Sequence, residues 1–317
     1  MISDKNILKL IYQCGQFKES DQVLIVFDDS TEEIASKIFE KIQPFGHCKK
    51  YRYNIKMHGG EPSEEISEAM FSSDLIFGLT KFSMAHSLAR GKATQNGARY
   101  LSLPDYSLDV INSNAFDADF FEISKLSNKL INQLSNGKEI TITSSAGTKL
   151  TMNIFGRNWN NAPGILLQRG DLGSPPDSEI NIAPNELMTN GKIVVDGSIP
   201  IPEIGLLNNH LILEVVDGLV NIPSCTYGKI LLRLFGPNKN NRIIGEFGIG
   251  LNSKSKLCGR MLEDEGALGT CHFGVGSNST IGGANKANIH IDFIIKNPNI
   301  FLDNEPIFKE GKWLAPN

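Results

Sequence analysis

Val23-Leu24-Ile25-Val26-Phe27, closed by Asp28-Asp29-Ser30 and followed by the helix-patterned Thr31 to Ile42, is the stretch on which the fold reading turns. An unbroken apolar run of this length suits a strand buried on both faces. The polar turn and the helical period after it make the pair a βα unit. The rhythm repeats through strand-like Lys50 to Ile55, helical Glu64 to Phe71, strand-like Leu75-Ile76-Phe77, helical Ser83 to Gln95, and strand-like Arg99 to Leu103 stopped by Pro104. Strands alternating with helices predict an α/β domain with a mainly parallel sheet. Neither GxGxxG nor GxxxxGK[ST] follows the first strand, so this fold alone implies no nucleotide site.

From Gly137 the texture changes to short β-patterned runs punctuated by Gly, Asn and Pro: Glu139 to Thr143, the turn Ala146-Gly147, Lys149 to Ile154, and Lys192 to Val195 before Asp196-Gly197. These predict a mainly β, α+β domain with long loops. The helical Ala118 to Leu134 and the breaker Ser135-Asn136-Gly137 set the expected boundary, giving domains 1–136 and 137–317. No internal repeat is evident.

The 317 residues are 40% hydrophobic and 21% charged, with a net charge of -4 and a pI near 5.9. That balance, without a basic stretch, gives no electrostatic reason to expect nucleic acid. Met1 to Phe17 lacks the layout of a signal peptide, and no apolar run approaches the roughly 20 residues needed to span a bilayer, so neither membrane nor export is expected and a cytoplasmic location is. Cys14, Cys48, Cys225, Cys258 and Cys271 are odd in number and scattered, without a CxxC pair. Any metal should therefore have oxygen and nitrogen ligands.

Such ligands gather in the second half, mostly amid glycine. They are Glu186 in Ala183-Pro184-Asn185-Glu186, Glu246 in Gly245-Glu246-Phe247-Gly248-Ile249-Gly250, His272 in Gly269-Thr270-Cys271-His272-Phe273-Gly274, and His290-Ile291-Asp292. The β-branched surroundings of the last pair predict a strand that projects both side chains from one face, so both can contact one ion. Imidazole and carboxylate suit zinc, cobalt, manganese or ferrous iron. Gly248 and Gly250 share the strand face of Glu246, which would clear space for a substrate. A single His or Glu in a strand is more often structural; five in four segments shift that balance, because uncompensated buried carboxylates are costly. Glu263-Asp264 reads equally well as a solvated acidic turn. Glu265, a short loop before His272, is the candidate proton carrier or partner of a ligand. His86 opens a helix after a strand, where α/β domains place ligand contacts. His47, His58 and His210 read as surface or loop residues.

These segments together resemble the aminopeptidase T / aminopeptidase S metallopeptidases. Ordered motifs carry the resemblance: Ser83-Met84-Ala85-His86-Ser87, Gly97-Ala98-Arg99, Leu103-Pro104, Pro184-Asn185-Glu186, Gly191 to Ser198, Glu246 to Asn252, Gly269 to Gly274, Gly282-Gly283 and His290-Ile291-Asp292. The resemblance implies an N-terminal α/β domain and a homodimer. It also implies two divalent ions (Zn, Co or Mn) held by Glu186, Glu246, His272, His290 and Asp292, with water activated to release N-terminal residues from peptides. Ser279 stands where the family pattern has a tyrosine ligand. The 2,5-dihydroxypyridine dioxygenases are a related branch. There the resemblance implies one Fe(II) held by two histidines and a carboxylate that include an HxD pair, with a histidine where this chain has Glu246 and His86 matching an acid-base histidine. A non-catalytic member of the fold is the third expectation.

Overall fold

The computed structural model describes residues 2–316. They divide into two compact units, Met1–Ser124 with Ala162–Pro176, and Lys125–Asn161 with Asp177–Asn317. The first is α/β and the second mainly β, as the pattern predicts. The division falls at Ser124 instead of 136, within the helix Phe120–Leu134. Residues 162–176 return to the first unit because Leu172–Gly173 adds a strand to its sheet.

Elements α1 (Asp4–Leu8), β1 (Gln22–Phe27), α2 (Glu32–Ile42), β2 (His47–Arg52), α3 (Glu64–Phe71), β3 (Leu75–Leu79), α4 (Leu88–Gln95) and β4 (Arg99–Ser102) follow one another along the first unit. The sheet order is β2-β1-β3-β4 and then Leu172–Gly173, parallel throughout. Val23 to Phe27 are all buried, as an inner strand requires. Helix α2 lays Ile34, Ile38 and Ile42 in an i, i+4, i+8 stripe toward the interior. Tyr100 is completely buried, and a Cβ at Gly78 on the neighbouring strand would lie 2.1 Å from its hydroxyl, so only glycine fits there. Helix α4 begins at Leu88, not at the expected Ser83. Ser87 accepts from the Arg90 N–H, and the Glu61 carboxylate accepts from the N–H groups of Leu88 and Ala89. Together they cap the first turn and fix its start.

The second unit holds an eight-stranded and a seven-stranded sheet. The seven-stranded one carries the chemistry. Its strands lie in the order Gly205–Leu206, Ser198–Ile199, His290–Lys296, Thr270–Gly276, Ile244–Gly250, Glu179–Ile182 and Asn160–Ala162. Among the described residues no helix is long and apolar enough to cross a membrane, and all five cysteines are free.

Arg99, part of one of the motifs above, does structural work. Its buried guanidinium sits 2.6 Å from Asp21 and donates to the carbonyls of Gly15 and Gln16. Removing one partner of a buried pair strands the other charge, so Asp21→Ala should destabilise the protein by about 3–5 kcal/mol. Urea unfolding of the variant against the parent measures this.

Candidate metal centre

Strand alternation builds the centre. Cross-strand register pairs Asn181 with Gly248, Gly248 with His272, and His272 with Ile294. The next row along pairs Glu246 with Gly274 and Gly274 with Asp292. With a period of two, Glu179, Asn181, Glu246, His272, His290 and Asp292 all project from one face of the sheet. The opposite face presents Ile180, Ile182, Phe247, Ile249, Phe273 and Phe293, all buried, with the Phe247 and Phe273 rings 5.8 Å apart. A one-residue register shift between Ile244 and Glu246 marks a bulge at Gly245. Ile244 therefore shares the face of its partner Val275, while Glu246 faces the polar side.

Glycines make the imidazoles fit. A Cβ at Gly248 would lie 2.1 Å from His272 Nε2, and one at Gly274 would lie 2.5 Å from His290 Nε2 and 2.7 Å from Glu246 Cβ. The space expected to admit a substrate over Gly248 is thus filled by the His272 ring. At Gly250 an added Cβ would strike the Ala267 carbonyl at 2.2 Å.

Two sets of donors converge, Glu246 with His290 and Asp292, and Glu179 with Glu246 and His272; each set has its donor atoms within 4.8 Å of one another. His290 Nε2 lies 2.9 Å from Glu246 Oε2 and 3.1 Å from Asp292 Oδ1. His272 Nε2 lies 3.1 Å from Glu179 Oε2. Donors at right angles about an ion bound at about 2.1 Å are about 3 Å apart, so the first set matches the spacing of adjacent ligands on one cation. His290 Nδ1 meets the Ser277 carbonyl at 2.8 Å. As an N–H donor there, it leaves the Nε2 lone pair for a metal. His272 Nδ1 is buried without a hydrogen-bond partner, and Glu179 Oε2 meets only the His272 ring, which leaves donor capacity of the kind a cation takes up.

Electrostatics point the same way. Asp177, Glu179, Glu246, Glu265 and Asp292 crowd the two imidazoles. Burial, then the Glu179 charge, pushes Asp177 well above the ordinary carboxyl range. Burial and the Asp292 charge do the same to Glu265. Glu246 is raised by burial, with His290 opposing. Burial also works against the charge on Asp292, but the His290 cation outweighs it and holds that carboxyl well below its usual range. Burial opposes the charge on His272 too, yet Glu179 pushes it up to about 9. With no cation present, protons on the rings and acids hold the cluster together; a divalent ion would displace them.

The structure brings Glu246, His272, His290 and Asp292 together and leaves Glu186 out of both sets. The Glu186 carboxylate is spent elsewhere, paired with Arg157 and accepting from Asn278 Nδ2 and the Ala284 N–H. Ser279 is exposed, whereas its neighbour Asn278 is buried. Glu263 and Asp264 are buried, not solvated; Asp264 accepts from Ser198 Oγ and from the Cys258 and Gly259 N–H groups. Glu265 hydrogen-bonds Asp292, with its other oxygen Oε1 unpartnered. His86 lies in the first unit, exposed in the turn ahead of α4. Sequence reasoning missed Asp177 and Glu179. Their signal was present in Asp177-Ser178-Glu179-Ile180-Asn181-Ile182, where acids and an amide recur at every second position.

The family model for 2,5-dihydroxypyridine 5,6-dioxygenase (NicX) matches residues 31–315. Among solved structures, 2,5-dihydroxypyridine dioxygenase from Pseudomonas putida KT2440 superposes with a TM-score of 0.83 at 18% identity, covering 99% of this chain and 96% of that one. Wild-type AmpT from Thermus thermophilus superposes with a TM-score of 0.72 at 13% identity, covering 98% of each chain. At these identities both likenesses show the fold. No curated protein matches the chain significantly in sequence.

If the glycine at 274 makes room for His290, Gly274→Ala should weaken divalent-metal binding about 10–100-fold, the range seen when a ligand's support is lost. Gly91→Ala, in α4 with nothing within 4 Å of the added methyl, should leave metal affinity unchanged. Calorimetric titration of both variants with cobalt provides the measurement.

Proposed function

The chain belongs to the 2,5-dihydroxypyridine 5,6-dioxygenase family, and from that premise we propose that it is a metal-dependent oxygenase that opens a hydroxylated nitrogen heterocycle with O2. The observation that carries the reading is the convergence of Glu246, His290 and Asp292 on one sheet face, within a family match spanning nearly the whole chain. These three residues would hold the ion. Ferrous iron, when bound, supplies the one-electron chemistry that lets O2 react with a closed-shell ring. One imidazole and two carboxylates form a harder donor set than two imidazoles and one carboxylate, which favours iron or manganese over softer ions.

The remaining work belongs to the chain. The Ser277 carbonyl fixes the His290 ring so that Nε2 faces Glu246 and Asp292. Burial and the neighbouring Asp292 carboxylate raise the Glu265 carboxyl well above its ordinary range and so favour its protonated form beside Asp292. Glu265 can therefore donate that proton to an oxygen that gains charge as the ring opens, then take one back from the next substrate hydroxyl. The apolar reverse face keeps the strands in register and the donors on one face of the sheet.

A second reading rests on a specific observation, the shared position of Glu246 in both donor sets. A carboxylate common to two ions would suit a two-metal hydrolase releasing N-terminal residues from peptides. Iron-loaded protein under the first reading binds one ion per chain and consumes one O2 per dihydroxypyridine lost. His290→Ala should abolish both iron retention and oxygen uptake. Two ions per chain, with release of N-terminal residues from unblocked peptides and no oxygen uptake, would establish the hydrolase instead.

A further inference from the structure

Glu186 and Arg157 lie outside both donor sets, yet almost every polar atom they carry is engaged around one loop, residues 277–285. Glu186 Oε1 accepts from Asn278 Nδ2 at 3.0 Å and from the Ala284 N–H at 2.6 Å. Its Oε2 pairs with Arg157 Nη2. Arg157 in turn donates from Nη1 to the Gly282 carbonyl and from Nε to Asn185 Oδ1 at 2.9 Å. The pair thus grips the loop at 278, 282 and 284. Inside the loop, the Asn278 amide is the pivot. Its Oδ1 accepts from the Asn285 N–H at 2.8 Å, the Asn278 main-chain carbonyl accepts from the N–H groups of Ile281 and Gly283, and a Cβ at Gly283 would lie 2.0 Å from the Asn278 side chain. Glycine is therefore required at 283 for the loop to close over that amide.

The loop begins at Ser277, whose carbonyl accepts from His290 Nδ1. We propose that the Arg157–Glu186 pair is a positioning device that holds loop 277–285 closed and thereby fixes the His290 imidazole for metal binding. The inference rests on the reading of His290 as a metal ligand. It assigns Glu186 a role different from the ligand role implied by resemblance. Three observations favour it. The Glu186 carboxylate is already satisfied by three donors. Although burial opposes its charge, the hydrogen bonds and Arg157 hold its carboxyl below the usual range. Finally, the Arg157 charge is already met by Glu186, and its Nη1 is turned to the Gly282 carbonyl of the loop, at the edge of a cavity of about 450 Å³ that Arg157 lines with Asn158, Asn160 and Ile281. Of the pair, Arg157 forms part of the wall of that cavity.

The test uses variants that separate holding the loop from holding the ion. Arg157→Gln, which removes the ion pair but cannot remove a metal ligand, should lower cobalt affinity about 10–100-fold, the effect expected of residues that orient a ligand. It should also accelerate amide hydrogen exchange across 278–285. Asn278→Ala should do the same by a second route. Glu186→Gln keeps the Oε1 acceptor for Asn278 and Ala284, and should bind cobalt far better than Glu246→Gln. Cobalt affinity is read from the visible absorption of the bound ion and loop order from exchange of the metal-free full-length chain.

Arg157→Gln that loosens the loop without weakening cobalt, or that changes neither, overturns the proposal. So does Glu186→Gln that loses cobalt as completely as Glu246→Gln with loop exchange unchanged, since Glu186 would then be a ligand. Parent protein that binds no cobalt would refute the metal reading itself, and slow loop exchange that persists in Arg157→Gln would then refute the clamp separately.

Discussion

Two imidazoles lie across glycine backbone on one face of a seven-stranded sheet; Glu179 and Glu246, each two strands from its imidazole, and Asp292, on the strand of His290, meet them at about 3 Å. This close approach is the constraint on which the second unit depends. Any side chain at 248 or 274 would occupy the space of a ring. A buried group of five acids around two rings survives only if protons or a cation compensate the repulsion. The opposite sheet face, packed with phenylalanine and isoleucine, supplies the stability that the charged face consumes.

Support of the site is layered. His290 is aimed by a loop carbonyl, and the loop is folded over a buried asparagine amide; the amide in turn meets the carboxylate of an ion pair. On the other flank, Asn160 donates to Asn181, and Asn181 donates to Glu179. Each link is a hydrogen bond between groups that have few other places to go, which is how a sheet face retains a fixed donor arrangement without a disulfide.

Much of this was legible in the chain. The apolar run at 23–27 and its repeats predicted the parallel sheet, because a strand buried on both faces must be apolar throughout. His290-Ile291-Asp292 predicted a shared face, because strand geometry permits nothing else. Glu179 was less visible. Its membership depends on which strand lies beside Ile244–Gly250, and pairing between segments more than sixty residues apart leaves no local mark. Glu186 misled for the opposite reason. Resemblance alone placed it among the ligands, but Arg157, twenty-nine positions earlier, pairs with its carboxylate. Gly248 and Gly250 read as openings for a substrate, whereas the side chain that fills the space over Gly248 comes from another strand.

The bulge at Gly245 has a consequence for how such a centre can change through descent. In a regular strand, Ile244 and Glu246 would share a face, and an apolar anchor and a metal donor would compete for the same side. One additional backbone unit reverses the parity between them, so that hydrophobic and ligand roles can alternate at a spacing that ordinary pleating forbids. Chain length at that point is therefore as much a determinant of chemistry as residue identity. Substitution at 246 can exchange one donor for another within an unchanged scaffold, while gain or loss of a single neighbouring residue would invert which side of the sheet the donor reaches.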